Sequence, residues 1–183
     1  MSLAFVFPGQ GSQSVGMLAA LAAAEPLVRQ TFDEASAVLG YDLWSLCQQG
    51  PESELATTEK TQPAMLAAGV ATWRVWLQHG GPMPVAMAGH SLGEYTALVC
   101  SQALDFQVAV DLVRFRGQAM QRAVPLGEGA MAAVLGLDDA ELAAACRAPP
   151  AAIDQGRAAA GAGRLRPLDS DREAGRGQRR TGE

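Results

Sequence analysis

The stretch that decides the fold spans residues 84–104 and reads PVAMAGHSLGEYTALVCSQAL. Residues 84–88 form a short apolar run typical of a buried strand, and residues 94–104 have the apolar periodicity of a helix. Between them lies the pentapeptide GHSLG, which fits the pattern G-x-S-x-G. A strand, this pattern and a helix in direct succession predict a nucleophile elbow, the sharp turn that exposes a serine hydroxyl above a sheet.

Ser91 is the candidate catalytic nucleophile of this turn. The flanking Gly89 and Gly93 let the backbone turn sharply without a clash. The backbone N–H of Leu92 would then point at a developing oxyanion, and the N-terminus of the following helix would add positive potential. A chance match to the pentapeptide is the competing interpretation, and the strand and helix on either side argue against it.

Working outward, strands and helices alternate along the chain. The strands are predicted over 3–7, 84–88 and 131–137. The helices are predicted over 15–23, 26–38, 42–48, 61–79, 94–104, 105–124 and 138 to about 147, and Thr61 is the expected N-cap of the fourth. This alternation predicts an α/β fold with a parallel sheet.

Composition describes an ordinary globular chain of 183 residues, 49% hydrophobic and 18% charged, with a net charge of −5. No basic residue precedes Arg29, and the longest apolar stretch, 64–77, is shorter than the roughly 20 residues that cross a bilayer. The three cysteines lack metal-ligand spacing. We therefore expect a cytoplasmic protein with reduced thiols, no signal peptide, no membrane segment, no metal and no nucleic-acid partner.

The composition changes at residue 148. Residues 1–147 hold 7 Lys and Arg against 14 Asp and Glu, whereas 148–183 hold 7 Arg against 5 acidic residues and no aromatic residue. A segment with so few large apolar side chains cannot offset its ordering entropy, so we predict that 148–183 is a disordered tail. Its richness in Arg, Ala, Gly and Pro suggests a frameshift near residue 148, and a natural basic tail is the alternative.

A second glycine-rich loop, PGQGSQ at 8–13, follows the first predicted strand. It is not a dinucleotide-binding loop, because Ser14 stands where G-x-G-x-x-G needs its third glycine, and no Gly-Lys-Ser/Thr follows for a phosphate loop. Open α/β sheets bind ligands at the carboxyl ends of their strands. The backbone N–H of Gln10 is thus a candidate second oxyanion donor, and a purely structural turn is the alternative.

Arg116 falls on the apolar stripe of the helix predicted over 105–124. A guanidinium facing inward needs an anion, because burying it alone costs several kcal/mol. Its partner is either an internal carboxylate, such as Glu94 or Glu128, or the carboxylate of a substrate.

Four blocks of sequence carry a resemblance to a known family: GQGSQ at 9–13, TQPA at 61–64, GHSLGEYTAL at 89–98 and RGQAMQ at 116–121. In this order and spacing, over residues 3 to about 147, the chain resembles the malonyl-CoA:acyl-carrier-protein transacylases of bacterial fatty-acid synthesis. The resemblance implies an α/β-hydrolase-like acyltransferase core. Residues 1–127 would be the N-terminal part of that domain, and 128–147 would begin a small ferredoxin-like subdomain.

The resemblance also implies roles for single residues. Ser91 would carry the malonyl group from malonyl-CoA to the phosphopantetheine thiol of acyl carrier protein, and Arg116 would pair with the free carboxylate of that group. Gln10 and Leu92 match the oxyanion-hole donors. Substrate-binding positions are matched by Gln62, Met120 and His90. A CoA thioester would be a substrate rather than a cofactor, and we expect the protein to be a monomer.

One departure from the family concerns the general base, a histidine far downstream of the serine. This chain contains only His79 and His90. His79 is predicted at a helix C-terminus on the surface, and His90 leaves the elbow in a different direction from Ser91, so neither is expected to act as the base. We therefore expect this chain to be very weakly active or an inactive truncated product, and to be poorly stable. A serine hydrolase or thioesterase of the α/β-hydrolase type is the alternative function, although it has no use for a buried arginine.

Overall fold

The computed structural model describes residues 2–123 together with 138, 140, 143 and 144. The chain divides into two compact units, Met1–Gly129 and Ala130–Glu183, and the fold described below is that of the first. The strand predicted over 131–137, the boundaries at 127 and 147, the tail 148–183 and the suspected frameshift lie outside the described residues.

The sheet of the described part has two parallel strands, β1 (Ala4–Phe7) and β2 (Ala86–Gly89). Their register pairs Ala4 with Ala86 and Phe7 with Gly89. Both carboxyl ends therefore lie at one edge of the sheet, where the PGQGSQ loop and the GHSLG turn follow them. The α/β fold class with a parallel sheet is confirmed.

Helices fill the connection between the strands and continue after β2. They are α1 (Ala19–Ala24), α2 (Pro26–Leu39), α3 (Leu43–Gln49), α4 (Glu52–Leu55), α5 (Thr58–Gln78), α6 (Leu92–Cys100) and α7 (Phe106–Ala123). Sequence signals explain several of their ends. Asp42 caps α3 by accepting a 2.8 Å hydrogen bond from the backbone N–H of Ser45, and Gly40 ends α2 with φ +78°.

The predicted start of α5 was wrong. Thr61 is not an N-cap: the helix begins three residues earlier at Thr58, and Pro63 lies inside it. The Thr61 hydroxyl instead donates a 2.6 Å hydrogen bond back to the carbonyl of Leu55, while its backbone N–H donates to the carbonyl of Thr57 at 2.8 Å. Helical hydrogen bonding is thus already established before Pro63.

Helix α5 is the centre of the packing, in contact with α2, α6 and α7. Its segment 61–68 is wholly buried, and the core continues through Phe32, Leu92 and Val113. Cys47 and Cys100 are buried free thiols, whereas Leu112 on α7 is 41% exposed.

Candidate active site

Ser91 lies at the junction between β2 and α6, as the N-cap residue of α6. Its backbone has φ +53° and ψ −107°, a left-handed conformation that a residue with a side chain rarely adopts. The residue is exposed at this turn. Leu92, the next residue, is completely buried and begins the helix behind the serine.

The two glycines of the pentapeptide make this turn possible because backbone atoms lie where their side chains would be. A Cβ on Gly89 would overlap the backbone of Gly93, and a Cβ on Gly93 would overlap the carbonyl oxygen of Phe7 at the end of β1. The turn is closed by a 2.9 Å hydrogen bond from the N–H of Gly93 to the carbonyl of His90. Neither glycine could be replaced without displacing the backbone.

Arg116 reaches the serine from α7. Its Nη2 donates a 2.9 Å hydrogen bond to the Oγ of Ser91, and its Nη1 donates a 2.8 Å hydrogen bond to Oε1 of Gln62 on α5. The guanidinium carbon lies 5.7 Å from the centroid of the Tyr95 ring. The Nε2 of Gln62 donates in turn to the sulfur of Met120 at 3.3 Å. Four of the predicted site residues, Ser91, Arg116, Gln62 and Met120, are thus joined in one chain of contacts.

The partners of Arg116 in the described part of the chain are an amide, a hydroxyl and an aromatic ring. Within residues 2–123 no carboxylate comes within 4.0 Å of its guanidinium, which removes Glu94 as the internal partner, and Glu128 is outside the described residues. By contrast, Arg29, Arg74 and Arg114 each form an ion pair with an aspartate or glutamate. The positive charge of Arg116 is therefore not neutralised by these residues.

The PGQGSQ loop contacts the GHSLG turn. A Cβ on Gly9 would lie 2.9 Å from the carbonyl oxygen of His90, so the two loops touch through their backbones. The side chain of Gln10 donates from Nε2 to Oγ1 of Thr58 at 3.3 Å, which ties the loop to the start of α5. Gln10 and His90 are both exposed and lie beside the serine turn.

Neither histidine is bonded to Ser91 by any hydrogen bond among the described residues. His79 follows α5 as its C-cap residue, with its side chain 63% exposed and its Nε2 2.6 Å from Oε1 of Glu25. Its predicted position at a helix C-terminus on the surface is confirmed, and its partner is the carboxylate of Glu25.

Two site features were not found from the sequence. The Tyr95 ring lies beside the guanidinium, and Gly117 lets α7 approach α5, since a Cβ there would be 2.7 Å from Cα of Glu59. The only signal for Tyr95 was its spacing of one helical turn from Ser91.

In the described residues there is no cluster of three His, Cys, Asp or Glu able to hold a metal ion, and none of the helices there is long and apolar enough to cross a membrane.

Comparison with known proteins gives three points of reference. The malonyl CoA-acyl carrier protein transacylase of Salmonella typhimurium is 66% identical over 143 residues, which are 78% of this chain and 46% of that protein. The crystal structure of an acyl carrier protein S-malonyltransferase from Vibrio cholerae has a TM-score of 0.73 and 58% identity, and the match covers 85% of this chain and 50% of that one. A malonyl-transacylase in complex with its type II PKS acyl-carrier protein has a TM-score of 0.76 and 62% identity over 80% of this chain and 47% of that one.

This chain spans about half the length of these relatives. The family description that matches it is that of the acyl transferase domain, over residues 4–156. The match includes β1, the serine turn and the arginine of α7. The chain belongs to the acyl transferase domain family.

Proposed function

We propose that this acyltransferase moves a malonyl group from malonyl-CoA to the phosphopantetheine thiol of acyl carrier protein through a malonyl-Ser91 intermediate. The observation that carries the proposal is the 2.9 Å contact between Nη2 of Arg116 and Oγ of Ser91. It brings a positive charge without an acidic partner among the described residues next to the exposed hydroxyl. Such a pair suits an acyl group that bears a carboxylate close to its reacting carbonyl.

The geometry of Ser91 supports its role as the nucleophile of an elbow. Its left-handed backbone, the glycines on either side and its place between β2 and α6 are the features that a nucleophile elbow needs. A serine hydroxyl is a weak nucleophile until a base removes its proton. Since this chain contains only His79 and His90, and neither is bonded to Ser91 among the described residues, we expect it to load Ser91 slowly.

Two backbone N–H groups are proposed to stabilise the oxyanion. Leu92 supplies one, because the first N–H groups of α6 have no acceptor within the helix. Gln10 supplies the other from the loop that contacts His90. Donors fixed in advance around a developing negative charge are often the largest single contribution to catalysis.

Arg116 is proposed to bind the malonyl carboxylate. The planar N–H groups of an arginine fit the two oxygens of a carboxylate better than the ammonium group of a lysine does. An acetyl group has no carboxylate and would gain nothing from this contact. The arginine thus selects between acyl groups in addition to holding one.

The transfer balances as two exchanges. Ser91 Oγ bonds to the thioester carbonyl carbon, the bond from that carbon to sulfur breaks, and the hydroxyl proton ends on the thiol of CoA. The thiol of acyl carrier protein then attacks the ester, and its proton restores the serine hydroxyl. CoA thioester is a substrate and we propose no cofactor.

The remaining expectations belong to the same proposal. We propose that the protein acts in fatty-acid synthesis in the cytoplasm, as a monomer, and that the residues after 127 begin a ferredoxin-like subdomain. The relatives named for malonyl-CoA and acyl carrier protein support the choice of substrate and partner. Substrate contacts of Met120 and His90 are part of this proposal.

Covalent labelling tests the proposal directly. We expect radioactive malonyl-CoA to label a chimaera that joins residues 1–147 to the rest of the Salmonella typhimurium relative, and Ser91→Ala to remove the label entirely. The 183-residue chain alone should take up the label very slowly or not at all. Label that survives Ser91→Ala would remove the central claim. Faster hydrolysis of neutral p-nitrophenyl esters than malonyl transfer would favour a serine hydrolase instead.

A further inference from the structure

Gln62 is the one charged or amide side chain in the wholly buried segment 61–68, with no exposed surface. A buried amide is costly unless both its oxygen and its nitrogen find partners. Its oxygen accepts from Arg116 at 2.8 Å, and its nitrogen donates to the sulfur of Met120 at 3.3 Å. Both partners lie on α7, one helical turn apart, so the amide is directed entirely at the helix that carries the arginine.

The two terminal nitrogens of the guanidinium bind different residues. Gln62 holds Nη1, which leaves Nη2 pointing at the oxygen of Ser91. Arginine side chains lose much rotamer entropy when they are ordered. Contact with Gln62 orders the side chain before a substrate arrives, so binding of a carboxylate loses less entropy.

The neutrality of Gln62 matters as much as its position. A glutamate would have nearly the same shape and would accept the same hydrogen bond. Its charge, however, would neutralise the guanidinium, as acidic residues do for Arg29 and Arg74. An amide holds the arginine in place without neutralising its charge.

Resting on the proposed function, we propose that Gln62 is a positioning residue for Arg116 and determines the preference for acyl groups that bear a carboxylate. Its contribution is made through the guanidinium and not by contact with the acyl group. The resemblance implied a substrate-binding position for Gln62, and its hydrogen bonds to α7 support this indirect role in substrate binding.

The test measures the affinity of malonyl-CoA relative to acetyl-CoA by calorimetry, in the full 183-residue chain carrying Ser91→Ala so that no turnover occurs. Gln62→Leu removes the hydrogen bond but keeps the bulk, and Gln62→Glu keeps the hydrogen bond but adds charge. We expect both to lower malonyl-CoA affinity, Gln62→Leu by roughly 10-fold and Gln62→Glu by roughly 10- to 100-fold. Acetyl-CoA affinity should stay within about threefold in both.

The matched control is Thr61→Val, one residue away on α5 and equally buried. It removes the 2.6 Å hydrogen bond to the carbonyl of Leu55 and does not touch Arg116. It should lower the unfolding midpoint and leave the ratio of affinities unchanged. If the Gln62 variants behave like Thr61→Val, Gln62 is only structural and the inference is wrong. If the parent chain itself binds both thioesters equally, the malonyl specificity fails, and this inference with it.

Discussion

Replacing Gly117 by alanine should damage the site through the backbone alone. The new Cβ would lie 2.7 Å from Cα of Glu59 and 2.8 Å from the carbonyl oxygen of Thr58. Carbon atoms in van der Waals contact are about 3.5–4.0 Å apart. Because both obstacles are backbone atoms, no side chain can rotate away, and α7 must move from α5 by roughly 0.8 Å or more at this point.

The size of two effects follows from this displacement. Overpacking costs about 1–3 kcal/mol, and alanine regains about 1 kcal/mol over glycine in a helix, so the free energy of unfolding should fall by roughly 0–2 kcal/mol. The neighbouring hydrogen bond between Arg116 and Gln62 is 2.8 Å long. A shift of this size would stretch it beyond the usual 3.2 Å. We therefore expect a smaller preference for malonyl-CoA over acetyl-CoA.

Urea unfolding followed by tryptophan fluorescence gives the first effect, and calorimetry with the two thioesters gives the second. Gly40→Ala is the control, since it makes the same chemical change at φ +78° with nothing within 4 Å of the new Cβ. Left-handed strain should destabilise it by about 1–2 kcal/mol without moving α7. The reasoning is wrong if Gly117→Ala raises stability, as it would at an ordinary exposed helix position. It is also wrong if the variant keeps the preference for malonyl-CoA over acetyl-CoA.

Two further predictions concern Arg116 and the two buried thiols. Arg116→Ala should lower malonyl transfer by the chimaera roughly 10- to 100-fold while acetyl transfer rises relative to it, measured as kcat/KM for each thioester; equal losses would make Arg116 a structural residue. Burial raises the pKa of the thiols of Cys47 and Cys100 to about 12, so native protein binds protons there that unfolded chains release above about pH 9. The free energy of unfolding should thus fall as pH rises from about 9 toward 12, and the urea midpoint should be lower at pH 10 than at pH 8. Cys47→Ala should make this difference between the two midpoints smaller.

Local signals in the sequence located the strand, turn and helix around Ser91, although the helix ends at Cys100 and not at residue 104. The pattern GHSLG is self-contained: its glycines, its serine and the apolar run before it are all within ten residues. The N-cap at Asp42 and the glycine end of α2 are equally local, and both are found in the structure. Where all the determining atoms are near in sequence, pattern and structure agree.

Errors arose where the determining contact is distant or competes with a local rule. Thr61 resembles an N-cap before a proline, but its hydroxyl bonds to the carbonyl of Leu55 and the helix starts at Thr58. The inward direction of Arg116 was predictable from periodicity. Its partner was not, because Gln62 lies 54 residues earlier and meets it only through the packing of α5 on α7.

The pairing of nucleophile and arginine depends on two close backbone contacts in different parts of the fold. Gly93 packs on the carbonyl of Phe7, which fixes the serine turn to β1, and Gly117 packs on Glu59, which fixes α7 to α5. Backbone contacts of this kind leave no side-chain rotamer free to absorb a change. The 2.9 Å contact between Arg116 and Ser91 thus joins two elements, each of which makes a close backbone contact at a glycine. Substitution at either glycine should alter acyl selectivity as well as stability, whereas substitutions in the core between them should alter stability first.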